Sequence, residues 1–257
     1  MISAVCNMSE IPKDHPRYAS LMTREKIVEG VELGITSQQG LVAQGRGECF
    51  DYLIGEQTTD SAFMAEKVAV AMLLLAERPV LSVNGNAAAL VPDSLIRLSE
   101  ATGAPLEVNL FHRTEERVNR IIEHLKINGA LEVLGSRADA RLDLQHSRAI
   151  VDSEGIYNAD LVLVPLEDGD RCQALVDMGK MVITIDLNPL SRTSRTATVT
   201  IVDNVIRAVE NMITLSHEMK GLDEAELRKL VEGYDNSHTL SDAVRQMIRK
   251  LEELSGL

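Results

Sequence analysis

The sequence predicts an α/β fold: a Rossmann-like, mostly parallel sheet covered by helices on both faces, with a C-terminal helical extension. Three observations predict it. Short β-branched apolar runs recur along the chain, helical patterns separate most of them, and runs such as "DLVLVP" are apolar at successive positions instead of alternating. A strand buried on both faces reads in that continuous way, and parallel neighbours need helical crossovers. The 257 residues suffice for one full core with an appendage.

In chain order, strands are expected at 40–44 (GLVAQ), 79–83 (PVLSV), 106–111 (LEVNLF), 130–135 (ALEVLG), 160–165 (DLVLVP), 181–187 (MVITIDL) and 197–202 (ATVTIV). Helices are expected at 23–34, 59–77, 92–102, 114–128, 170–179 and 203–219. The run "VAVAMLLLA" at 68–76 is flanked by Glu66, Lys67, Glu77 and Arg78. It reads as a buried helix, well short of the roughly 20 apolar residues of a membrane span. Beyond Gly221, "LDEAELRKLVEGYD" and "TLSDAVRQMIRKLEELSGL" are two amphipathic helices, and Leu240, Val244, Met247, Ile248 and Leu251 share one face of the second. That face packs on the protein's own body or, in the alternative, against another subunit. The chain thus divides into a main domain at 1–220 and an extension at 221–257.

A formal charge of −13 argues against a nucleic-acid footprint, which needs a basic face to release counterions. Cys6, Cys49 and Cys172 are odd in number and show neither CxxC nor Cys/His ligand spacing, so they read as free thiols in a reducing compartment. The N-terminus has no basic region before it turns polar, which argues against a signal peptide and for a cytoplasmic protein.

Polar clusters fall where the strands end. In open α/β sheets, ligands bind beyond the carboxyl ends of the strands, where helix N-termini point their positive dipole ends at the site. Five segments are expected on that rim: Gly45-Arg46-Gly47-Glu48, Asn84-Gly85-Asn86, His112 to Arg117, Glu167 to Arg171, and Asp186 to Arg195. Gly45 and Gly47 admit backbone amides close to a phosphate, or simply serve a tight turn. Asn84 and Asn86 pair donors with acceptors, or mark a turn. Thr114 caps a helix with Arg117 in its first turn, Glu115 and Glu116 suit the dipole, and Arg113 is the group to aim at an anion. Asp170 is placed to cap the next helix, which leaves Glu167 and Asp168 free for Mg²⁺ or an ammonium group. The last segment follows a strand where a helix would normally begin. Its two arginines, three apart, suit an anion held by guanidinium forks and hydroxyls. There is no G-x-x-x-x-G-K-[ST], G-x-S-x-G or H-E-x-x-H.

The stretches "IPKDHPRYASLMTREKIVEG", "GLVAQGRGECFDYLIGE", "PVLSVNGNAAAL", "NLFHRTEERV", "ADLVLVPLEDGDR" and "ITIDLNPLSRTSRTATVTIVDN" resemble, in order, the motifs of the archaeal phosphopantothenate synthetases, also called 4-phosphopantoate–β-alanine ligases. The resemblance runs from about Ile11 to about Leu215 and is loose in the two C-terminal helices. It implies a homodimeric enzyme of coenzyme A biosynthesis that joins 4-phosphopantoate to β-alanine with ATP, through a phosphopantoyl adenylate. Carried over by motif, ATP is held by Arg24, Arg46, Asp186, Leu187, Asn188, Arg192, Thr193, Asn204 and Val205. Gln44 and Cys49 depart from the His and Ala expected there.

Adenylation needs arginines and Mg²⁺ to neutralise the phosphates, and Arg46 and Arg192 suit that work. The phosphate of phosphopantoate needs its own clamp, expected from Arg113 with Asn84 and Asn86. Asp168 is the expected general base for the β-alanine amine. The lack of a helix at 186–195 is then explained by a loop that wraps the nucleotide. Two other readings stay open: a different acyl-adenylating or phosphoryl-transfer enzyme, and a nucleotide-binding module without turnover.

Overall fold

A computed structural model describes residues 11–15 and 17–256. Cys6 and most of the N-terminal stretch read for a leader lie outside them. Three helices come first: α1 (Tyr18–Glu32), α2 (Gln38–Ile54) and α3 (Asp60–Leu75). Then follow β1 (Pro79–Val83), α4 (Gly85–Leu90), α5 (Pro92–Thr102), β2 (Leu106–Val108), α6 (Glu115–Ile127) and β3 (Val133–Leu134). A short ladder, β4 (Ala140–Arg141) with β5 (Ile150–Val151), precedes β6 (Leu161–Pro165), α7 (Gly169–Asp177), β7 (Met181–Ile185), α8 (Arg192–Thr196) and β8 (Val199–Ile201). The chain ends in α9 (Val205–Met219), α10 (Glu224–Val231) and α11 (Asn236–Ser255).

The main sheet has the order β3-β2-β1-β6-β7-β8, and every pair in it is parallel. Its central strands β1, β6 and β7 are largely apolar because each feeds two cores. Leu81, Val83, Leu161, Leu163, Ile183 and Ile185 face the larger core, built with α3, α5, α6 and α9. Val80, Val162, Val164 and Val182 face the smaller one, with Cys172 and Leu175 of α7 and with Leu142, Val151 and Ile156. Strand order reverses between β1 and β6, so the sheet has two halves that part at this point.

The strands at 79–83 and the helix at 92–102 lie where expected. The strand expected at 106–111 stops at Val108, and beyond it buried Asn109 gives its side-chain amide to the carbonyls of Arg148 and Ile150, at 3.2 and 3.0 Å. The strand expected at 40–44 does not form: "GLVAQ" lies inside α2. A short apolar run cannot separate a strand from a helix, and tertiary contact decides here. Gly40 lets α2 approach α4 closely, since a Cβ there would run into the side chains of Asn86 and Thr36. Gly45 and Gly47 are therefore neither a turn nor a phosphate loop, but helical residues. The segment 186–195 does contain a helix, the five-residue α8, whose first turn is capped by Ser191.

The C-terminal helices dock on the body. In α10, Asp223 and Glu226 form a reciprocal capping box. Leu240, Ala243 and Met247 of α11 join Ile54, Leu187 and Val202 in a small core of their own. The face predicted for α11 splits along its length, for Ile248 and Leu251 are about half exposed.

Candidate active site

A cavity of about 620 Å³ lies beyond the carboxyl ends of the strands, across the point where strand order reverses. On the β7–β8 side it is lined by Asp186, Leu187 and Asn188, by Thr193, and by Asn204 and Val205 at the start of α9. Asp186 accepts from Asn188 N at 2.9 Å, Ser191 Oγ at 2.6 Å and Ser194 Oγ at 3.4 Å. These hydroxyls of segment 186–195 thus bond a carboxylate of the same segment. Burial pushes the Asp186 carboxyl above its ordinary range, opposed by these bonds and by Arg46. Arg46 and Gly47 reach the same side from α2, where a Cβ on Gly47 would meet Leu187 at 3.6 Å. Asn204 caps α9 and gives its amide to Asp51 Oδ2 at 2.9 Å. Arg207 ties Asp51 and Asp203 together beneath it, at 2.6 and 2.5 Å.

On the β1–β2 side, Asn84 caps α4 and donates to Pro165 O at 2.7 Å, which locks β1 to β6 at the parting of the halves. Asn86 accepts from Thr36 Oγ1 and donates to Gly40 O at 3.0 Å. Both asparagines are thus structural as well as lining. Phe111, His112, Arg117 and Arg148 complete this side.

Between the halves stands the loop after β6. Glu167, expected to be free for a cation, is buried between Arg148 and Arg171 and bonded to both. Burial pushes its carboxyl up, but the two guanidinium groups and the Asp168 amide overcome this and hold it at about 2. Asp168, and not Asp170, caps α7, accepting from Arg171 N at 2.9 Å. Burial and the charge of Glu167 raise the Asp168 carboxyl, while Arg148, 3.1 Å away, pulls it down.

Three expected site residues lie apart from the residues that line this cavity. Arg24 bridges α1 to α2 through Glu48 at 2.7 Å and Tyr52 at 3.1 Å. Arg192 packs its stem over Gly169 and pairs with Asp170 at 2.5 Å, exposed. Arg113 donates to Gly135 O at 2.6 Å and faces a separate depression with Arg137 and Arg141. Conversely, the sequence reading passed over Thr36, Ser37 and Arg148, and it left Arg117 without a role. His146 also comes near: one ligand atom each of His146, Asp168 and Asp170 lies within 4.8 Å of the others. Both ring nitrogens of His146 are buried without hydrogen-bond partners.

A profile of the phosphopantothenate/pantothenate synthetase family matches residues 61–250. The chain is 62% identical over 249 residues to the 4-phosphopantoate–β-alanine ligase of Methanosarcina mazei, covering 97% of this chain and 98% of that one. It is 56% identical to the ligase of the same name from Thermococcus kodakarensis, with 96% of each chain covered. The identity to that of Methanospirillum hungatei is 50%, over 94% of this chain and 98% of the other. The chain belongs to this family. The profile match extends over the whole sheet, the cavity residues from Asn84 onward and most of the C-terminal helices, while α1 and α2, with Arg46, precede it. Among the described residues of this family member, no helix is long and apolar enough to cross a membrane.

Proposed function

We propose that the chain is a cytoplasmic, homodimeric, ATP-dependent ligase that joins 4-phosphopantoate to β-alanine in coenzyme A biosynthesis. The observation that carries this reading is a single cavity with cationic groups on both halves of the sheet, Arg46 on one and Arg117 on the other, parted by the Glu167–Asp168 loop. A nucleotide alone needs one such end; a nucleotide and an anionic acid need two. The names of the relatives agree with that pair of substrates.

In this reading ATP occupies the β7–β8 side, with Asp186 to Asn188, Thr193, Asn204 and Val205 around ribose and base and Arg46 at the phosphates. The acid's carboxylate oxygen attacks the α-phosphorus and pyrophosphate leaves. The β-alanine amine then attacks the acyl carbon, AMP leaves, and the amine proton passes to a base, for which Asp168 is our candidate. Its environment supports the role, since its raised carboxyl brings it closer to an amine than an ordinary aspartate is. Arg192 and Arg24, assigned by motif, reach the nucleotide only by leaving Asp170 and Glu48. Arg113 is left out of the phosphate clamp in this reading, because it does not line this cavity: its Nη2 donates to Gly135 O and it borders another depression.

The donor set fits Mg²⁺ in a form the sequence reading did not give. Glu167 is consumed by two arginines, whereas Asp168 and Asp170, each beside one arginine, present carboxylate oxygens close together. Mg²⁺ takes one or two carboxylates plus substrate phosphates. When bound there it would neutralise phosphate charge. Exposed Ile248, Leu251 and Leu254 give α11 an apolar strip for pairing with a second copy, a point settled by the mass of the protein in solution.

The deciding assay supplies ATP, Mg²⁺, 4-phosphopantoate and β-alanine. AMP, pyrophosphate and phosphopantothenate should form in equal amounts. ADP with phosphate would replace the adenylate route by phosphoryl transfer, and no turnover would favour a binding module. Arg46→Ala should lower kcat about a hundredfold, the loss seen when one donor to a developing charge is removed, with affinity for 4-phosphopantoate unchanged.

A further inference from the structure

Among the described arginines that line the cavity, Arg117 is the one on the β1–β2 side with no carboxylate about it. Its Nε and Nη2 donate to Ile35 O, each at 3.1 Å, and Nη1 donates to His112 O at 3.2 Å. A guanidinium has five N–H groups, so one on each terminal nitrogen remains. No carboxylate among the described residues enters its electrostatic surroundings; burial and the like charge of Arg148 are what act on it, and both disfavour the cation. Arg148 is engaged by Glu167 through Nη1 and lies beside Asp168 through Nε, which leaves its Nη2. Arg148 and Arg171 are thus met by Glu167 and Asp168, and Arg171 also by Glu107, whereas Arg117 has no carboxylate about it. The charge left over in this part of the cavity is that of Arg117.

The geometry holds that charge in place. A Cβ on Gly85 would lie 2.5 Å from Arg117 Nη2 and 2.6 Å from Ile35 O, so glycine opens the space into which the fork is laid. The three backbone bonds fix the plane of the guanidinium before any ligand arrives. Ser37, at the start of the 17-residue α2, also lines the cavity, and its hydroxyl makes no capping bond to its own helix. A pinned fork with an unpaired charge, a second guanidinium and a free hydroxyl form a receptor for a compact dianion.

We infer that Arg117, with Arg148 and Ser37, forms the subsite for the phosphate monoester of the acid substrate. This rests on the ligase reading for the acid's identity. It deepens that reading by assigning the two halves of the cavity, nucleotide on β7–β8 and phosphorylated acid on β1–β2, with the reacting carboxylate between them at the Glu167–Asp168 loop. The subsite makes the phosphate of the acid, and not its carbon chain, the feature the enzyme selects.

The test is calorimetric titration of the full-length protein and its Arg117→Gln variant with 4-phosphopantoate and with pantoate, alongside KM values for ATP and β-alanine. Arg117→Gln should weaken 4-phosphopantoate about thirtyfold or more, since truncating a buried charge pair costs at least that factor. Pantoate should bind both proteins alike. Unchanged affinity for 4-phosphopantoate overturns the inference. So does an equal loss for pantoate, which would mean a general distortion, or a loss that falls on ATP or β-alanine. Should Arg117→Gln melt early, Arg117→Lys carries the test: it keeps the charge without the fork and should lose about tenfold, and wild-type affinity in that variant overturns the assignment. Failure of the wild type to make phosphopantothenate while it binds 4-phosphopantoate counts against the ligase reading alone.

Discussion

Glu167→Ala loses about 3–5 kcal/mol of stability at neutral pH, the cost of breaking a buried ion pair from one side. The carboxylate is 1% exposed and stands between Arg171 at 0% and Arg148 at 8%. Alanine leaves two buried guanidinium groups without a counter-charge and the Asp168 amide without the acceptor it now reaches at 2.8 Å. In a chain of this size the melting temperature should fall by roughly 6–20 °C. The pH dependence gives the sign. The folded carboxyl is held at about 2 against an ordinary value of 4.5. The unfolded chain therefore takes up the proton first as pH drops, and the stabilisation is complete above about pH 4.5 and lost on the way to about 2. Melting curves of both proteins from pH 7 down to pH 3 check this. The gap between them should narrow below pH 4.5, and a gap that stays constant would show that Glu167 acts through packing alone.

The second large effect has the opposite sign. Glu66 of α3 is fully buried, takes the Asn211 amide on both oxygens at 3.3 and 3.0 Å, and lies near Asp203. The nearby cation, Arg207, is already shared by Asp51 and Asp203. Burial first, and the charge of Asp203 second, push the Glu66 carboxyl up to about 8. Between pH 4.5 and 8 the folded protein keeps a proton that the unfolded chain has released, so stability falls as pH rises through that window. Glu66→Gln imitates the protonated side chain and should be more stable than the wild type at pH 9 by on the order of 5 kcal/mol, at about 1.4 kcal/mol per pK unit. Near pH 4.5 the two should be equal. Urea unfolding at pH 5, 7 and 9 measures the difference, and a difference independent of pH would mean that ionisation of Glu66 is not its source. Glu66 shares Asp203 and Asn211 with the network that holds Asn204, so this carboxyl stabilises the proposed nucleotide side only while neutral.

The rim of the site was legible because its strands were. Largely apolar runs located β1, β6 and β7, and the residues after them, Asn84, Asp168 and Asp186, line the cavity as the rule for parallel sheets requires. The arginines were harder to place. Thr114 was correctly read as the cap of α6, yet Arg113, just before it, turns to Gly135, while Arg117 enters the cavity. Helical side chains lean toward the N-terminus of their helix, so the arginine inside the first turn reaches back over the cap. The same local ambiguity moved the cap of α7 from Asp170 to Asp168, since two aspartates flank one glycine and only backbone geometry chooses between them. In α2, three glycines beside a short apolar run concealed a helix, and one of them, Gly40, serves close approach to Asn86 and Thr36.

By itself the sequence determined what depends on neighbours in the chain: which strands are buried on both faces, where crossovers run, which segments end at one rim, and the family that those motifs resemble. Only the tertiary structure decided which charges meet. Arg148 lies in a stretch without helical or strand period, 19 residues before Glu167, and Asp51 stands 156 residues before the Arg207 that holds it. Hydrophobic period is a property of adjacent residues, whereas the fate of a buried charge is set by whatever the fold brings within a few ångströms of it, where low dielectric makes each such meeting decisive.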